Sequence, residues 1–194
     1  MGNVFRKRRT YWVPENKRIE NKVQKIQDWK NVEDFTGWNI QNDKKGHEFI
    51  CKFQFCDNLV EVNLSFNGLG DEECQAIAIA LRASKTLKRI DLSNNFIHSA
   101  GAARIGEALT PKSGEGDPIL EELHLRNNAV GAEGAAALAG ILSNKHFKKL
   151  TLYWNNIRNQ GLRAIIEGLP KTPNPPPDYR VDVRYNGYNR SDPT

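Results

Sequence analysis

One pattern recurs through most of this chain: an apolar residue, any residue, a second apolar residue, any two residues, then asparagine. It reads Val62, Leu64, Asn67; Ile90, Leu92, Asn95; Leu123, Leu125, Asn128; Leu150, Leu152, Asn155; and, in the tail, Val181, Val183, Asn186. The steps between first positions are 28, 33, 27 and 31 residues. A further apolar residue, Leu59, Leu87, Leu120 or Phe147, stands three residues before each of the first four. The period-two pair predicts a short strand with one buried face. An asparagine placed after two more residues predicts a side chain turned inward, where its amide pairs with backbone groups of the bend. Asn67, Asn95, Asn128, Asn155 and Asn186 then form a structural ladder along a stack.

Between strands the spacing changes to three and four, which predicts a return helix in each unit. The apolar stripes are Cys74, Ile77, Ala78, Leu81; Ala102, Ile105, Leu109; Ala135, Leu138, Ala139, Leu142; and Leu162, Ile165, Ile166, Leu169. Gly70 and Gly131 share a position at the start of the return, where a left-handed backbone would suit glycine, but His98 and Arg158 replace them, so the turn stays open there. One such unit cannot bury its own apolar face, whereas stacked units share a core.

These residues resemble the leucine-rich-repeat superfamily, and within it the ribonuclease-inhibitor-like subclass. The resemblance is carried by LKRIDLSNNFIHSAGAARIGEAL from Leu87, LEELHLRNNAVGAEGAAALAGIL from Leu120 and FKKLTLYWNNIRNQGLRAIIEGL from Phe147, and covers about residues 59–186. It implies an α/β solenoid: a short horseshoe with a parallel concave sheet, convex helices and protein binding as the usual task. Ran GTPase-activating proteins share this subclass and use an arginine to assist hydrolysis, but no local motif matches their arginine-bearing loop, and Arg82, Arg89 and Arg126 have no privileged claim.

The chain divides into a basic extended leader at 1–16, an N-terminal helical cap with a degenerate repeat at 17–57, four repeats at 58–169, and a proline-rich connection, terminal capping strand and tail at 170–194. In the cap, Ile19, Val23, Ile26 and Trp29 form an apolar stripe. Trp38, Ile40 and Asp43 weakly echo the strand pattern, with His47, Ile50 and Phe53 available for a shortened helix. The cap's aromatics have an alternative reading as a docking surface. Residues 1–30 hold nine of the 28 Lys and Arg and three of the 23 acids, leaving 19 basic and 20 acidic residues in the rest. The basic character therefore belongs to the first 30 residues, which begin with the leader.

Side chains between the apolar strand positions face the concave side. The later repeats bring His124, Arg126, Tyr153, Trp154, Arg184 and Tyr185 there, the residue types that most often anchor interfaces, and these form the candidate partner-binding surface. The alternative is that Trp154 and Tyr185 stack on each other or under the proline segment as structural contacts. His124 lies one strand from Asp91, within reach of an ion pair. In the leader, Gly2 permits myristoylation with Arg6, Lys7, Arg8 and Arg9 as a second anchor on an anionic membrane, although Arg6 stands where Ser or Thr is favoured. The same four residues, with Tyr11 or Trp12, suit RNA. No phosphate-cradling loop and no placed Asp-His-Ser group suggests an enzyme. Cys51, Cys56 and Cys74 read as reduced, buried thiols, with no metal site. No cofactor or small-molecule substrate is expected.

The reading is a non-enzymatic scaffold or adaptor, a small structural subunit of a larger intracellular assembly with a protein partner. Cytoplasmic location, cytoskeletal or ciliary, is expected, with a mitochondrial or membrane-associated location as the alternative. The alternative functions are a membrane-tethered adaptor through an acylated leader and an RNA-associated protein.

Overall fold

The computed structural model describes residues 32–42, 46–56, 58–170 and 178–187. The leader with Gly2 and Arg6–Arg9, the stripe from Ile19 to Trp29, Asp43, the prolines from Pro173 to Pro177 and the tail after residue 187 lie outside the described residues. Six three-residue strands form one parallel sheet in chain order: β1 (Val32–Asp34), β2 (Glu61–Asn63), β3 (Arg89–Asp91), β4 (Glu122–His124), β5 (Lys149–Thr151) and β6 (Arg180–Asp182). The helices are α1 (Gly46–Cys51), α2 (Asp71–Ala83), α3 (Ser99–Leu109), α4 (Gly131–Ala139) and α5 (Arg158–Gly168), with short 3-10 turns at Ile40–Asn42, Lys52–Phe55 and Gly140–Ser143.

Strand register follows the repeat: Val62, Ile90, Leu123, Leu150 and Val181 are partners in turn. The inward pairs of β2–β5, Leu59, Leu87, Leu120 and Phe147, and the stripes of α2 and α3 are all buried. Helices of 9 to 13 residues are too short to hold alone in water, so this burial is what maintains them. The 33-residue step accommodates a loop at 110–118, whose Glu115 forms an ion pair with Arg82 of α2.

The stripe of α5 differs from expectation. Ile165 is buried, but Ile166 is 56% exposed, because α5 ends the row of helices and, among the described residues, no further helix covers its outer side.

The asparagines all enter the bend. Asn95 Oδ1 accepts from the N–H groups of Asn67 and Leu69, both at 3.0 Å, while its Nδ2 donates to the carbonyls of Leu64 and Leu92. Asn128 accepts from Ile97 N–H, Asn155 from Val130 N–H, and Asn186 from the N–H groups of Asn155 and Ile157. Asn67 completes the row by donating to the Phe35 carbonyl at 2.9 Å. An odd spacing from the inward leucine would point the asparagine outward on a continuing strand. A left-handed residue just before it reverses the direction: φ is +57° at Phe66, +56° at Asn94, +52° at Asn127, +57° at Trp154 and +56° at Tyr185. Such a backbone costs an ordinary residue about 1–2 kcal/mol. Interstrand bonds hold it in place, as where the Asn94 and Asn127 N–H groups donate to the Arg126 and Tyr153 carbonyls.

At the shared return position the four units divide. Gly131 and Arg158 are left-handed, at +65° and +54°, whereas Gly70 and His98 are extended. At the extended pair, acids satisfy the helix N-termini: Glu73 accepts from Gly70 N–H, and Asp71 of the preceding unit accepts from the N–H groups of His98 and Gly101.

The degenerate repeat is not where its weak echo at Trp38 and Ile40 suggested. Its strand is β1, with Glu33 paired to Val62 and Trp38 falling opposite Asn67 in the continued register. The shift is stabilised by rings rather than an amide. Phe35 meets Phe49 edge-on at 4.8 Å and Trp38 at 5.0 Å, and Phe53 lies 5.4 Å from Phe49. Phe35, Phe49 and Phe53 are buried, so these rings close the core rather than presenting a docking surface.

Candidate functional site

The concave face is built from strand positions that alternate with the core. At the later strands it gathers five of the six candidate residues into one exposed cluster. Tyr153 is central: its ring centroid lies 5.0 Å from that of Trp154 and 4.9 Å from that of Tyr185, and Trp154 meets Tyr185 at 6.2 Å in an edge-to-face pair. The Arg126 guanidinium stands 5.0 Å from the Tyr153 centroid and 5.6 Å from the Trp154 centroid, and Arg184 stands 5.6 Å from Tyr153. Arg126, Thr151, Tyr153, Asp182, Arg184 and Tyr185 line a shallow pocket of about 360 Å³. Trp154 and Tyr185 do contact each other, yet remain 47% and 66% exposed. Their left-handed backbones swing the rings outward at the strand exit.

The two arginines differ. Arg184 grips Asp182 with two nitrogens, at 2.9 and 2.7 Å, which holds that carboxyl below its usual range. No acidic side chain among the described residues pairs with Arg126; its planar group rests on the rings.

His124 departs from the expected display. It is 8% exposed, and it pairs with Glu122, at 3.0 Å from Nε2, rather than with Asp91; Nδ1 lies 3.2 Å from the Thr151 hydroxyl. Within one strand, positions 122 and 124 lie on the same face, so the nearer carboxylate takes the ring. Glu122 also reaches Lys149 at 3.7 Å and Arg89 at 3.9 Å. Burial pulls the imidazole below its ordinary value of 6.5, against the opposing hydrogen bond to the Glu122 carboxylate. The folded state thus holds this proton less well than the unfolded chain does. Stability is expected to fall as pH drops below about 6.5, and a His124→Gln variant should show a flatter pH profile in thermal melts.

Two organising groups fall outside the apolar repeat pattern. Glu121 joins Lys88 at 2.9 Å and Lys148 at 2.5 Å, across two neighbouring repeats, and these bonds hold its carboxyl below the usual range. The matching places of Lys88, Glu121 and Lys148 just before three strands are the signal that could have found them. Asp71 gave no comparable local signal, because its partners lie 27 and 30 residues away.

The three cysteines are thiols and form no disulfide. Cys56 and Cys74 are buried and Cys51 half-buried, and burial pushes the Cys74 thiol up to about 12. Among the described residues no group of three or more His, Cys, Asp or Glu is placed to hold a metal ion. No described helix is long and apolar enough to cross a membrane.

The repeating fold agrees with sequence comparison. The family described as Leucine Rich repeat matches four times, at residues 55–78, 83–106, 117–139 and 143–165. The chain belongs to the leucine-rich-repeat superfamily and resembles its ribonuclease-inhibitor-type members. It is 29% identical over 113 residues to ribonuclease inhibitor of Sus scrofa, covering 58% of this chain and 24% of that protein. It is 32% identical over 113 residues to RAN GTPase-activating protein 2 of Arabidopsis thaliana, covering 58% of this chain and 20% of that one. The chain thus spans about a quarter or less of these relatives. Among solved structures, leiomodin-1 actin-binding site 2 superposes with a TM-score of 0.62 at 19% identity, over 81% of this chain and 89% of that chain. The tropomodulin C-terminal domain of Caenorhabditis elegans gives 0.50 at 19% identity, over 63% and 74%. These two likenesses are likenesses of fold.

Proposed function

We propose that this chain is a non-enzymatic protein-binding scaffold of a cytoplasmic, cytoskeleton-associated assembly, and that Arg126, Tyr153, Trp154, Arg184 and Tyr185 form its partner surface. The observation that carries the reading is the exposed cluster of three aromatic rings and two arginines on the concave face. Rigid rings bring large contact area at small conformational cost, and Arg adds directional donors. His124 acts beneath this surface by positioning Thr151 and Glu122. The likeness to leiomodin-1 actin-binding site 2, over most of both chains, supports actin as the partner to test first.

Full-length protein and its Trp154→Ala variant, both verified as folded by circular dichroism, would be titrated with monomeric and filamentous actin. Binding by the wild type is expected, weakened about tenfold, or about 1.4 kcal/mol, in the variant. Failure to bind either form of actin removes the cytoskeletal part of the reading. A partner recovered from cells that binds Trp154→Ala as well as the wild type removes the surface. A version lacking residues 1–16 separates any contribution of Arg6–Arg9.

A further inference from the structure

The aromatic cluster stands at one end of a concave face whose charge changes sign along the stack. On the outward positions of β1–β3, Asp34, Glu61 and Asp91 stand with Arg89. On β4–β6 and their exits, Arg126, Lys149, Arg180 and Arg184 outnumber Glu122 and Asp182. The acids of this second half are engaged within the protein: Glu122 by His124 and Lys149, Asp182 by Arg184.

Arg126 is the exception, held on ring faces. A guanidinium over Tyr153 and Trp154 already meets the negative faces of those rings, so the cluster does not call for a second cation. What it offers outward is a planar fork of N–H donors, the geometry that matches a carboxylate. The exposed faces of Trp154 and Tyr185 supply an apolar flank beside it.

We propose that the β4–β6 end of the concave face binds an acidic segment of a protein partner, with a carboxylate on Arg126 and an apolar residue against Trp154 and Tyr185. The acidic β1–β3 end sets the direction of that segment by repelling further carboxylates. This rests on the protein-binding role proposed for the cluster. With strands about 4.8 Å apart, the six-stranded face spans about 24 Å, the reach of roughly seven extended residues. A nucleic acid running across it would lay phosphates over Asp34, Glu61 and Asp91, so a protein segment of uneven charge suits the face better.

The full chain would be titrated, by fluorescence anisotropy, with a labelled peptide alternating glutamate and phenylalanine. Its counterpart with lysine for glutamate and a labelled oligouridine serve as competitors in kind. The acidic probe is expected to bind, to weaken as salt rises, and to shift the Trp154 indole N–H resonance. Arg126→Glu should weaken it at least about tenfold, and Asp91→Asn should tighten it about twofold. Binding held by the leader alone would ignore Arg126→Glu, and that result overturns the proposal. Equal or tighter binding of the lysine probe or the oligouridine at Trp154 overturns it too. A natural partner that is lost with Trp154→Ala but unaffected by Arg126→Glu removes this charge rule and leaves the proposed function standing. Indifference to both substitutions removes the proposed partner surface itself.

Discussion

Asn95→Ala is expected to lower the unfolding free energy by about 2–3 kcal/mol, read as a shift of the urea midpoint at unchanged slope. The amide is buried and serves two donors and two acceptors at once: Asn67 and Leu69 N–H on its oxygen, Leu64 and Leu92 carbonyls on its nitrogen. Alanine leaves those backbone groups in a space that an alanine side chain does not fill and that water enters only by opening the bend. Asn128 makes the same type of bonds but is only half-buried, so water can replace part of what is lost. Asn128→Ala should therefore cost less, about 1–2 kcal/mol. Equal midpoints for wild type and Asn95→Ala would show that the ladder does not support the stack.

Gly106→Val is expected to cost about 3 kcal/mol, because α3 and α4 approach too closely at this point for any side chain. A Cβ on Gly106 would lie 2.6 Å from the Ala137 carbonyl oxygen and 2.9 Å from its carbon. The obstacle is backbone, so relief requires moving one helix away from the other and opening the core beneath both. Gly168 of α5 faces back to the Ala139 carbonyl of α4 at the same 2.6 Å, so close approach at a glycine recurs between the next pair of return helices. Gly116→Ala in the 110–118 loop is the control. Nothing lies within 4 Å of its added Cβ, and stability should stay within about 0.5 kcal/mol. A Gly106→Val midpoint matching this control would mean that the helices separate at little cost.

The candidate surface was legible to different degrees. The five clustered residues could be read because strand alternation assigns a face to each position, and the parallel register then sets neighbouring repeats side by side. Arg126, Tyr153 and Arg184 fall at equivalent positions of three successive repeats, and Trp154 and Tyr185 follow one place later. His124 shares that alternation, but its exposure depends on which neighbours cover it. Glu122 and Thr151 do so, and a one-dimensional pattern assigns them only a direction. The sign of charge along the face was likewise written in the residues, while the difference between a gripped Arg184 and an Arg126 resting on rings depends on side-chain geometry.

The sequence by itself determined the repeat, the strand register, the inward positions of β2–β6 and the identity of the ladder, because each follows from a short apolar period copied with little change. Tertiary structure decided what happens where that period breaks. At β1 the buried position holds Glu33, and Trp38 stands in the ladder's place, so only packing against β2 and the Phe35–Phe49 ring pair identifies the strand. The left-handed turns carry Phe66, Asn94, Asn127, Trp154 and Tyr185, residues with no common preference for that backbone, and bonds to the next strand hold the first four there. Ile165 and Ile166 both belong to the predicted apolar stripe of α5, yet one is buried and the other exposed. Local periodicity assigns a residue to a face, whereas burial requires a neighbour on that face, and neighbours exist only once the chain is stacked.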